Sequence, residues 1–294
     1  MIRVGPAGWS YPDSPGHLYP ADVPSRFDAL AFLSGYFDTV EVNATFYRPQ
    51  PKRNYASWVR RVAANPAFKF TVKLWQRFTH ERRDRWTADD VRMVTEGLEA
   101  LAEAGRLGAV LAQFPWSFKP GTDARGWLRE LAREFAAWPV VVEVRHGAWQ
   151  QPQHLALLRD LGLGFANIDQ PVIGRSLTPT AEATGPVGYV RFHGRNYEHW
   201  FGEHEDTAQR YDYLYSAEEL APWVDRIRRV HGAQGVAEVY VVTNNHFEGK
   251  GPANALMLRA MLEGRKMRAP LTLYETYPAH LAPYAEPDAE GRLL

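Results

Sequence analysis

Short apolar runs rich in β-branched residues recur along the chain, and polar segments with a helical period separate most of them. Eight of these runs predict β-strands, at residues 2–7, 39–43, 69–73, 109–113, 140–145, 164–169, 188–193 and 239–244. Regular alternation of strand and helix is typical of a parallel sheet with helices packed around it. The pattern therefore predicts an α/β protein, a single (β/α)₈ barrel of the TIM type spanning residues 1–294.

Helical periods predict seven helices, at residues 26–34, 53–63, 88–104, 123–137, 153–161, 217–230 and 254–262. Two of them begin with a predicted capping box, Thr87 to Asp90 and Ser216 to Glu219. Residues 170–186 contain proline and glycine without a helical period, so we expect the sixth helix to be reduced. Residues 194–215 predict a long functional loop after strand seven, and residues 265–294 are expected to wrap the barrel or to end loosely.

Polar side chains occupy one parity near the C-terminal ends of the predicted strands, the end where barrel enzymes carry their active sites. Side chains alternate between the two faces of a strand, so this parity predicts a polar set that points to the barrel axis. The set is Glu41, Asn43, Thr71, Lys73, Gln113, Glu143, Arg145, Asn167, Asp169, Arg191 and His193. Burying so many charges is costly unless they pair or serve a purpose. The cluster therefore indicates an active site, with structural ion pairs of Glu143 with Arg145 and of Asp169 with Arg191 as the alternative.

The chemistry of these side chains predicts two groups of site residues. The candidate catalytic residues are Glu41, Glu143, Asp169, Lys73 and His193. In this hypothesis the carboxylates act as acid or base, His193 titrates near neutral pH, and Lys73 neutralises charge or forms a Schiff base. The candidate substrate-binding residues are Asn43, Tyr47, His80, Gln113, Arg145, Trp149, Arg191, Arg195, Asn244 and Asn245.

Composition narrows the range of partners. The 34 basic and 34 acidic residues give no net charge, so nucleic acid is an unfavoured alternative, and no membrane segment is predicted. The absence of cysteine and of a signal-peptide pattern is typical of a cytoplasmic protein. No nucleotide cofactor is expected, because phosphate-loop and dinucleotide motifs are absent. A divalent metal stays open, since His193, His199, His204 and His246 fall on or after the last two strands without a tight ligand motif.

A series of short motifs runs in order along nearly the whole chain. They are GPAGWSY at the start, VEVNATFYRP at 40–49, FKFTVKL at 68–74, QFP at 113–115, VEVRH at 142–146, YVRFHGR at 189–195 and NNH at 244–246. Together they resemble the YecE-like family, domain of unknown function 72. The resemblance implies a TIM-type barrel and no established activity, and its motif residues coincide with much of the inward set. The chain departs from the family pattern at Pro6, Ala7 and Ser14.

The leading functional hypothesis is an enzyme that uses carboxylate acid–base chemistry on a small or locally presented polar, anionic substrate. Three clustered cations, Lys73, Arg145 and Arg191, favour hydrolysis of a phosphate ester or phosphodiester. Glycoside hydrolysis by Glu41 and Glu143, or a sugar isomerase-like reaction, is the second enzymatic hypothesis. A non-catalytic protein that binds a small ligand or nucleic acid is the third. The sequence leaves the oligomeric state open.

Overall fold

Eight parallel strands form a barrel at the centre of the molecule. They are β1 (Ile2–Pro6), β2 (Thr39–Val42), β3 (Lys69–Lys73), β4 (Leu107–Gln113), β5 (Val140–Glu143), β6 (Gly164–Asp169), β7 (Val187–Phe192) and β8 (Glu238–Thr243). The computed structural model describes residues 1–197 and 209–288. The predicted TIM-type barrel is confirmed, and each strand begins and ends within two residues of its predicted position.

The barrel closes between its first two strands. Neighbouring strands pair in chain order from β2 to β8, and β8 pairs in parallel with β1. The gap between β1 and β2 is bridged at Ala7 and Glu41, and the backbone N–H of Gly8 donates to the carbonyl oxygen of Glu41 at 2.8 Å. A Cβ atom at Gly5 would lie 1.9 Å from the carbonyl oxygen of Thr39. Glycine at position 5 therefore permits the close backbone approach that closure needs.

The helices around the barrel follow the predicted order, with one unpredicted turn after β2. They are α1 (Ala29–Ser34), α2 (Ala44–Tyr47), α3 (Lys52–Arg61), α4 (Ala88–Glu103), α5 (Thr122–Glu134), α6 (Pro152–Asp160), α7 (Ala217–His231) and α8 (Lys250–Glu263). Both predicted capping boxes form, at Thr87 and at Ser216. Residues 170–186 contain no helix, as predicted. Within the described ranges, no helix is long and apolar enough to cross a bilayer.

The C-terminal segment is more regular than the sequence analysis anticipated. Strand β9 (Met267–Pro270), helices α9 (Leu271–Thr276) and α10 (Pro278–Leu281), and strand β10 (Ala285–Asp288) follow α8. The two strands pair in parallel, apart from the barrel. Leu273 and Leu281 are fully buried in the same apolar cluster as Leu256 of α8. The segment is therefore packed against the barrel through residue 288, and residues 289–294 lie outside the described residues.

Strand register corrects one inward assignment made from parity. Residues paired in parallel strands point to the same face, and Tyr189, which bonds to groups inside the barrel, is paired with Ala166. Asp169 is instead paired with Phe192, whose ring packs against Trp223 of α7 with centroids 5.1 Å apart. The prediction that Asn167 and Asp169 point to the axis is therefore wrong. The inward positions of β6 are Gly164, Ala166 and Ile168. Asn167 instead bonds to Thr180 and Glu182 in the segment without a helix, and Asp169 accepts from Trp223 of α7.

Candidate functional site

A cavity of about 360 Å³ opens at the C-terminal mouth of the barrel. Its volume lies in the range of pockets that hold one small molecule. The lining residues come from the loops after β1, β2 and β8, from the ends of β3 and β7, and from the segment before α7. They are Gly8, Trp9, Ser10, Tyr11, Asn43, Ala44, Phe46, Tyr47, Lys73, Arg191, Tyr211, Asn244 and His246.

Arg191 links two carboxylates at the base of the cavity. Its Nη2 lies 2.6 Å from Glu41 Oε1, and its Nε lies 3.0 Å from Glu41 Oε2. On the other edge of the guanidinium, Nη1 lies 3.1 Å from Glu143 Oε2. Tyr189 donates to Glu41 Oε2 at 2.8 Å and so satisfies a further acceptor. All four side chains are buried, so this network replaces the hydration that the charged groups lose.

Glu143 is held as an ionised carboxylate. Arg191 contacts Oε2 of this carboxylate, and the other oxygen, Oε1, lies 2.7 Å from Arg145 Nη2 and 3.1 Å from His193 Nε2. Burial alone would raise the pKa of Glu143, but the charges of Arg145 and Arg191 and the contact with His193 hold it well below its ordinary range. A carboxylate that keeps no proton at neutral pH is a poor general acid. Glu143 is therefore better suited to fix the positions of its cationic neighbours.

His193 is a neutral imidazole in this environment. Burial, followed by the charge of Arg145, lowers its pKa to about 3. Its Nδ1 lies 3.2 Å from the Asn244 amide nitrogen, which donates, so the proton on Nε2 points to Glu143. Burial and the charges of Arg145 and Arg191 outweigh the opposing effect of Glu143, so these surroundings disfavour the imidazolium that the sequence analysis expected near neutral pH.

Lys73 places an amine on the cavity wall. Its Nζ lies 4.0 Å from the ring centroid of Phe46. Within residues 1–197 and 209–288, no carboxylate forms an ion pair with this nitrogen. Burial, followed by the charge of Arg191, lowers the pKa of Lys73 from 10.5 to about 7, against the opposing effect of Glu41 and Glu143. The amine therefore exists in both protonation states near neutral pH.

Positive charge exceeds negative charge around the mouth. Burial and the charges of Lys73, Arg82 and Arg145 lower the pKa of His80 to about 4, so His80 is neutral among cations. Burial also lowers the pKa of Arg145, and the guanidinium of Arg210 is among the positive charges acting on it. The two carboxylates of the network, Glu41 and Glu143, are already bound to the guanidinium groups of Arg191 and Arg145.

Aromatic side chains form the cavity's other walls. The rings of Tyr11 and His246 are stacked, with centroids 3.9 Å apart and planes 2° from parallel. Burial lowers the pKa of His246 to about 4, and its Nδ1 is buried without a hydrogen-bond partner among the described residues. Tyr47 is 70% exposed at the rim. These flat surfaces would enclose the apolar part of a small ligand.

The structure gathers only part of the predicted site around the cavity. Of the predicted residues, those that line it are Asn43, Tyr47, Lys73, Arg191 and Asn244, and those directly behind them are Glu41, Glu143, Arg145 and His193. His80 packs edge-on against Phe46, with centroids 5.0 Å apart. The Gln113 amide donates to the carbonyl oxygen of Phe114 at 2.8 Å.

Four predicted residues are committed elsewhere. Asp169 accepts hydrogen bonds from Tyr215, Trp223 and Arg195 at 2.7–2.8 Å on the helix side of β6, so Arg195 is drawn away from the axis with it. Trp149 is fully buried, and its indole N–H donates to the carbonyl oxygen of Phe118 at 2.7 Å. Asn245 is buried and donates to the backbone of Tyr213 and to Asn254. None of these four side chains lines the cavity.

Three functional neighbours escaped the sequence analysis. Gln170 accepts from Arg145 Nη1 at 2.7 Å, and its inward parity would have been found had β6 been placed in the correct register. Tyr189 lies two residues before Arg191 on β7, so alternation places its side chain inside the barrel as well. It was not selected because the search by parity considered only polar side chains. Tyr211 lines the cavity from a three-residue 3₁₀ turn, Gln209–Tyr211, which is too short for a periodic pattern in the sequence to predict the direction of its side chain.

The described residues hold no cluster of three or more His, Cys, Asp or Glu side chains suited to a metal ion. His193 has its two nitrogens bonded to Glu143 and Asn244, and His246 stacks on Tyr11. His199 and His204, which the metal hypothesis also used, lie outside the described residues.

Comparison with known proteins identifies the family. A model described as protein of unknown function DUF72 matches residues 3–278. The UPF0759 protein YunF of Bacillus subtilis is 30% identical over 276 residues, covering 90% of this chain and 95% of YunF. A DUF72 family crystal structure from Thermotoga maritima has a TM-score of 0.79 and 33% identity, covering 90% of this chain and 99% of that one. One from Enterococcus faecalis has a TM-score of 0.74 and 26% identity, covering 90% and 96%. The chain therefore belongs to the DUF72 family.

Proposed function

We propose that this protein is an enzyme that binds a small organic anion at the barrel mouth and uses Lys73 as its proton-transferring group. The observation that carries the proposal is the position of the amine, on the cavity wall and without an ion-pair partner among the described residues. Its pKa of about 7 is the value that serves both acid and base catalysis at neutral pH.

Charge at the mouth supports an anionic substrate. Glu41 and Glu143 are neutralised by Arg191 and Arg145, so the positive charge of Lys73 is left uncompensated. An anion in the cavity would meet this charge in partly desolvated surroundings, where electrostatic attraction is stronger than in water. A phosphate ester is the substrate class that we favour, as the sequence analysis did.

The assignment of the acid–base group changes from a carboxylate to an amine. Glycoside hydrolysis by Glu41 and Glu143 requires one carboxyl group with a raised pKa, whereas the pKa of Glu143 is lowered. Both carboxylates are also saturated by hydrogen-bond donors. We therefore retain a phosphate ester as the proposed substrate and propose Lys73, in place of a carboxylate, as the catalytic residue.

A pair of lysine variants tests the proposal. Turnover of a panel of phosphate mono- and diesters is measured for the wild type, Lys73→Arg and the exposed control Lys52→Arg, from about pH 5.5 to about pH 9. Arginine keeps the positive charge and does not titrate in this range. We expect Lys73→Arg to bind inorganic phosphate in calorimetry and to lose at least about 100-fold in kcat. Wild-type protein that binds no phosphate, or a Lys73→Arg variant with full turnover, contradicts the proposal.

A further inference from the structure

We propose that the Lys73 amine forms a Schiff base with the carbonyl group of a sugar phosphate bound in the cavity. This inference rests on the proposed function and narrows its substrate class, from phosphate esters in general to those that also carry an aldehyde or ketone.

The first support is the accessibility of the amine. Lys73 Nζ borders the cavity on one side and the face of Phe46 on the other, 4.0 Å from the ring centroid. Among the described residues, no carboxylate holds this nitrogen in an ion pair, whereas Lys250 is 2.5 Å from Asp212 and Lys69 is 3.6 Å from Glu238. An amine needs an unoccupied lone pair to attack carbon. Burial supplies one, because it lowers the pKa of Lys73 to about 7.

The second support is the charge distribution, which suits a ligand that has an anionic and a neutral end. Arg191 lines the base of the cavity, and Arg145 and Arg210 carry positive charge near it. Tyr11 and His246 form an uncharged aromatic wall on the same cavity. Arg191 is close enough to Lys73 for its charge to lower the pKa of the amine, so a small ligand whose phosphate meets these cations also places its carbonyl group near Lys73.

The reaction balances without an oxidant or a further reactant. The Lys73 nitrogen attacks the carbonyl carbon and forms a C–N bond, and the carbonyl oxygen takes a proton to give a carbinolamine. That hydroxyl group then leaves as water, and both hydrogens of the neutral amine depart with the carbonyl oxygen.

The composition of the chain makes the proposal easy to test. The sequence has six lysines: Lys52, Lys69, Lys73, Lys119, Lys250 and Lys266. Of these, Lys73 alone lines the described cavity. A covalent label can therefore be assigned to one position by peptide mass spectrometry.

The experiment traps the Schiff base by reduction. Wild-type protein, Lys73→Arg and Lys52→Arg are incubated with dihydroxyacetone phosphate and sodium cyanoborohydride near neutral pH. In the wild type we expect Lys73 to be labelled at least about 10-fold faster than any other lysine. This label should be absent in Lys73→Arg and should form at the wild-type rate in Lys52→Arg. Glycerol 3-phosphate lacks a carbonyl group, so it should not label the protein. It should compete with dihydroxyacetone phosphate for the cavity and so slow the labelling of Lys73.

The possible outcomes separate this inference from the proposed function. Equal labelling of Lys73 and the exposed lysines, or none at Lys73, overturns the Schiff base. If glycerol 3-phosphate still binds and pH-dependent turnover persists, the proposed function stands without it. If glycerol 3-phosphate and inorganic phosphate both fail to bind, both proposals fail. The labelled position is read in the wild type, so the result does not depend on whether a variant folds.

Discussion

Arg191 and Glu41 form a two-pronged ion pair inside the barrel, with Nη2 2.6 Å from Oε1 and Nε 3.0 Å from Oε2. Both side chains are almost completely shielded from solvent. The pair joins β7 to β2, strands that β8 and β1 separate around the barrel, and so links two parts of the wall through the barrel interior. Such a pair fixes the positions of the two side chains but adds little net stability, because both charged groups lose their hydration when the pair is buried.

Removing the charge of Glu41 should destabilise the protein strongly. In Glu41→Gln, Arg191 keeps Glu143 but loses its closest counter-ion in a buried setting, where breaking a pair costs about 3–5 kcal/mol. We expect the free energy of unfolding, measured by urea denaturation, to fall by that amount.

The matched control is Glu96→Gln, which removes an exposed partner of Arg92 on α4. Exposed pairs contribute little, so its unfolding curve should overlay that of the wild type. Similar curves for Glu41→Gln and Glu96→Gln would show that Arg191 does not depend on Glu41 for its charge compensation.

Asp169 is predicted to stabilise the fold and to take no part in ligand binding. It is buried on the helix side of β6 and accepts hydrogen bonds from Arg195, Tyr215 and Trp223. Asp169→Asn should lower the free energy of unfolding by about 3 kcal/mol, since it leaves these donors poorly matched. Phosphate binding, measured by calorimetry well below the melting temperature, should change less than about 2-fold. Normal stability with abolished binding would restore Asp169 to the site.

The order of strands and helices could be predicted from sequence because the alternation of apolar runs and helical periods reflects local geometry. Parity located Glu41, Lys73, Glu143 and Arg191 correctly, since these strands follow the regular two-residue alternation. It failed at Asp169, where a polar side chain was assumed to mark the inner face. The partners of that carboxylate come from residues 26–54 positions later in the chain, and no local pattern carries such information.

Trp149 and Asn245 illustrate a second limit of sequence analysis. Both follow a strand closely, as site residues of barrels do, yet each turns into the protein to satisfy a backbone carbonyl. Position after a strand predicts proximity to the mouth but not the direction of the side chain. Tyr211 shows the converse, because it reaches the cavity from a segment without periodicity.

Tyr47 and Trp149 should respond oppositely to truncation. Tyr47 is 70% exposed and lines the cavity, so Tyr47→Ala should weaken ligand binding about 3- to 10-fold with little change in stability. Trp149 is fully buried against Phe118, so Trp149→Ala should cost about 3–5 kcal/mol of unfolding free energy. Calorimetry with inorganic phosphate or glycerol 3-phosphate, together with urea denaturation, measures both quantities. A Tyr47→Ala variant that unfolds more easily than Trp149→Ala would contradict the assignment.

The lowered pKa of Lys73 predicts how stability depends on pH. The pKa is about 7 in the folded protein and near 10.5 in the unfolded chain, so between these values the unfolded chain binds more protons. The stability of the wild type should therefore rise with pH in this window, by up to about 1.4 kcal/mol per unit from this group. Below pH 7 both states are protonated, and the full cost of burying the charge is present.

Lys73→Met removes this titration and isolates its effect. At or below pH 7 the variant should be more stable than the wild type, since methionine has no charge to desolvate, and the difference should shrink as the pH rises toward 10.5. Urea denaturation of both proteins at several pH values between about 6.5 and about 9.5 measures it. The charged and titratable groups around Lys73, which are Arg191, Glu41, Glu143, Arg145 and His80, are present in both proteins, so the difference between the two curves reports the substitution at position 73. A difference that stays constant across the window would mean that Lys73 keeps its ordinary pKa. Anion binding should move the other way, weakening above pH 7 in the wild type as the ammonium loses its proton.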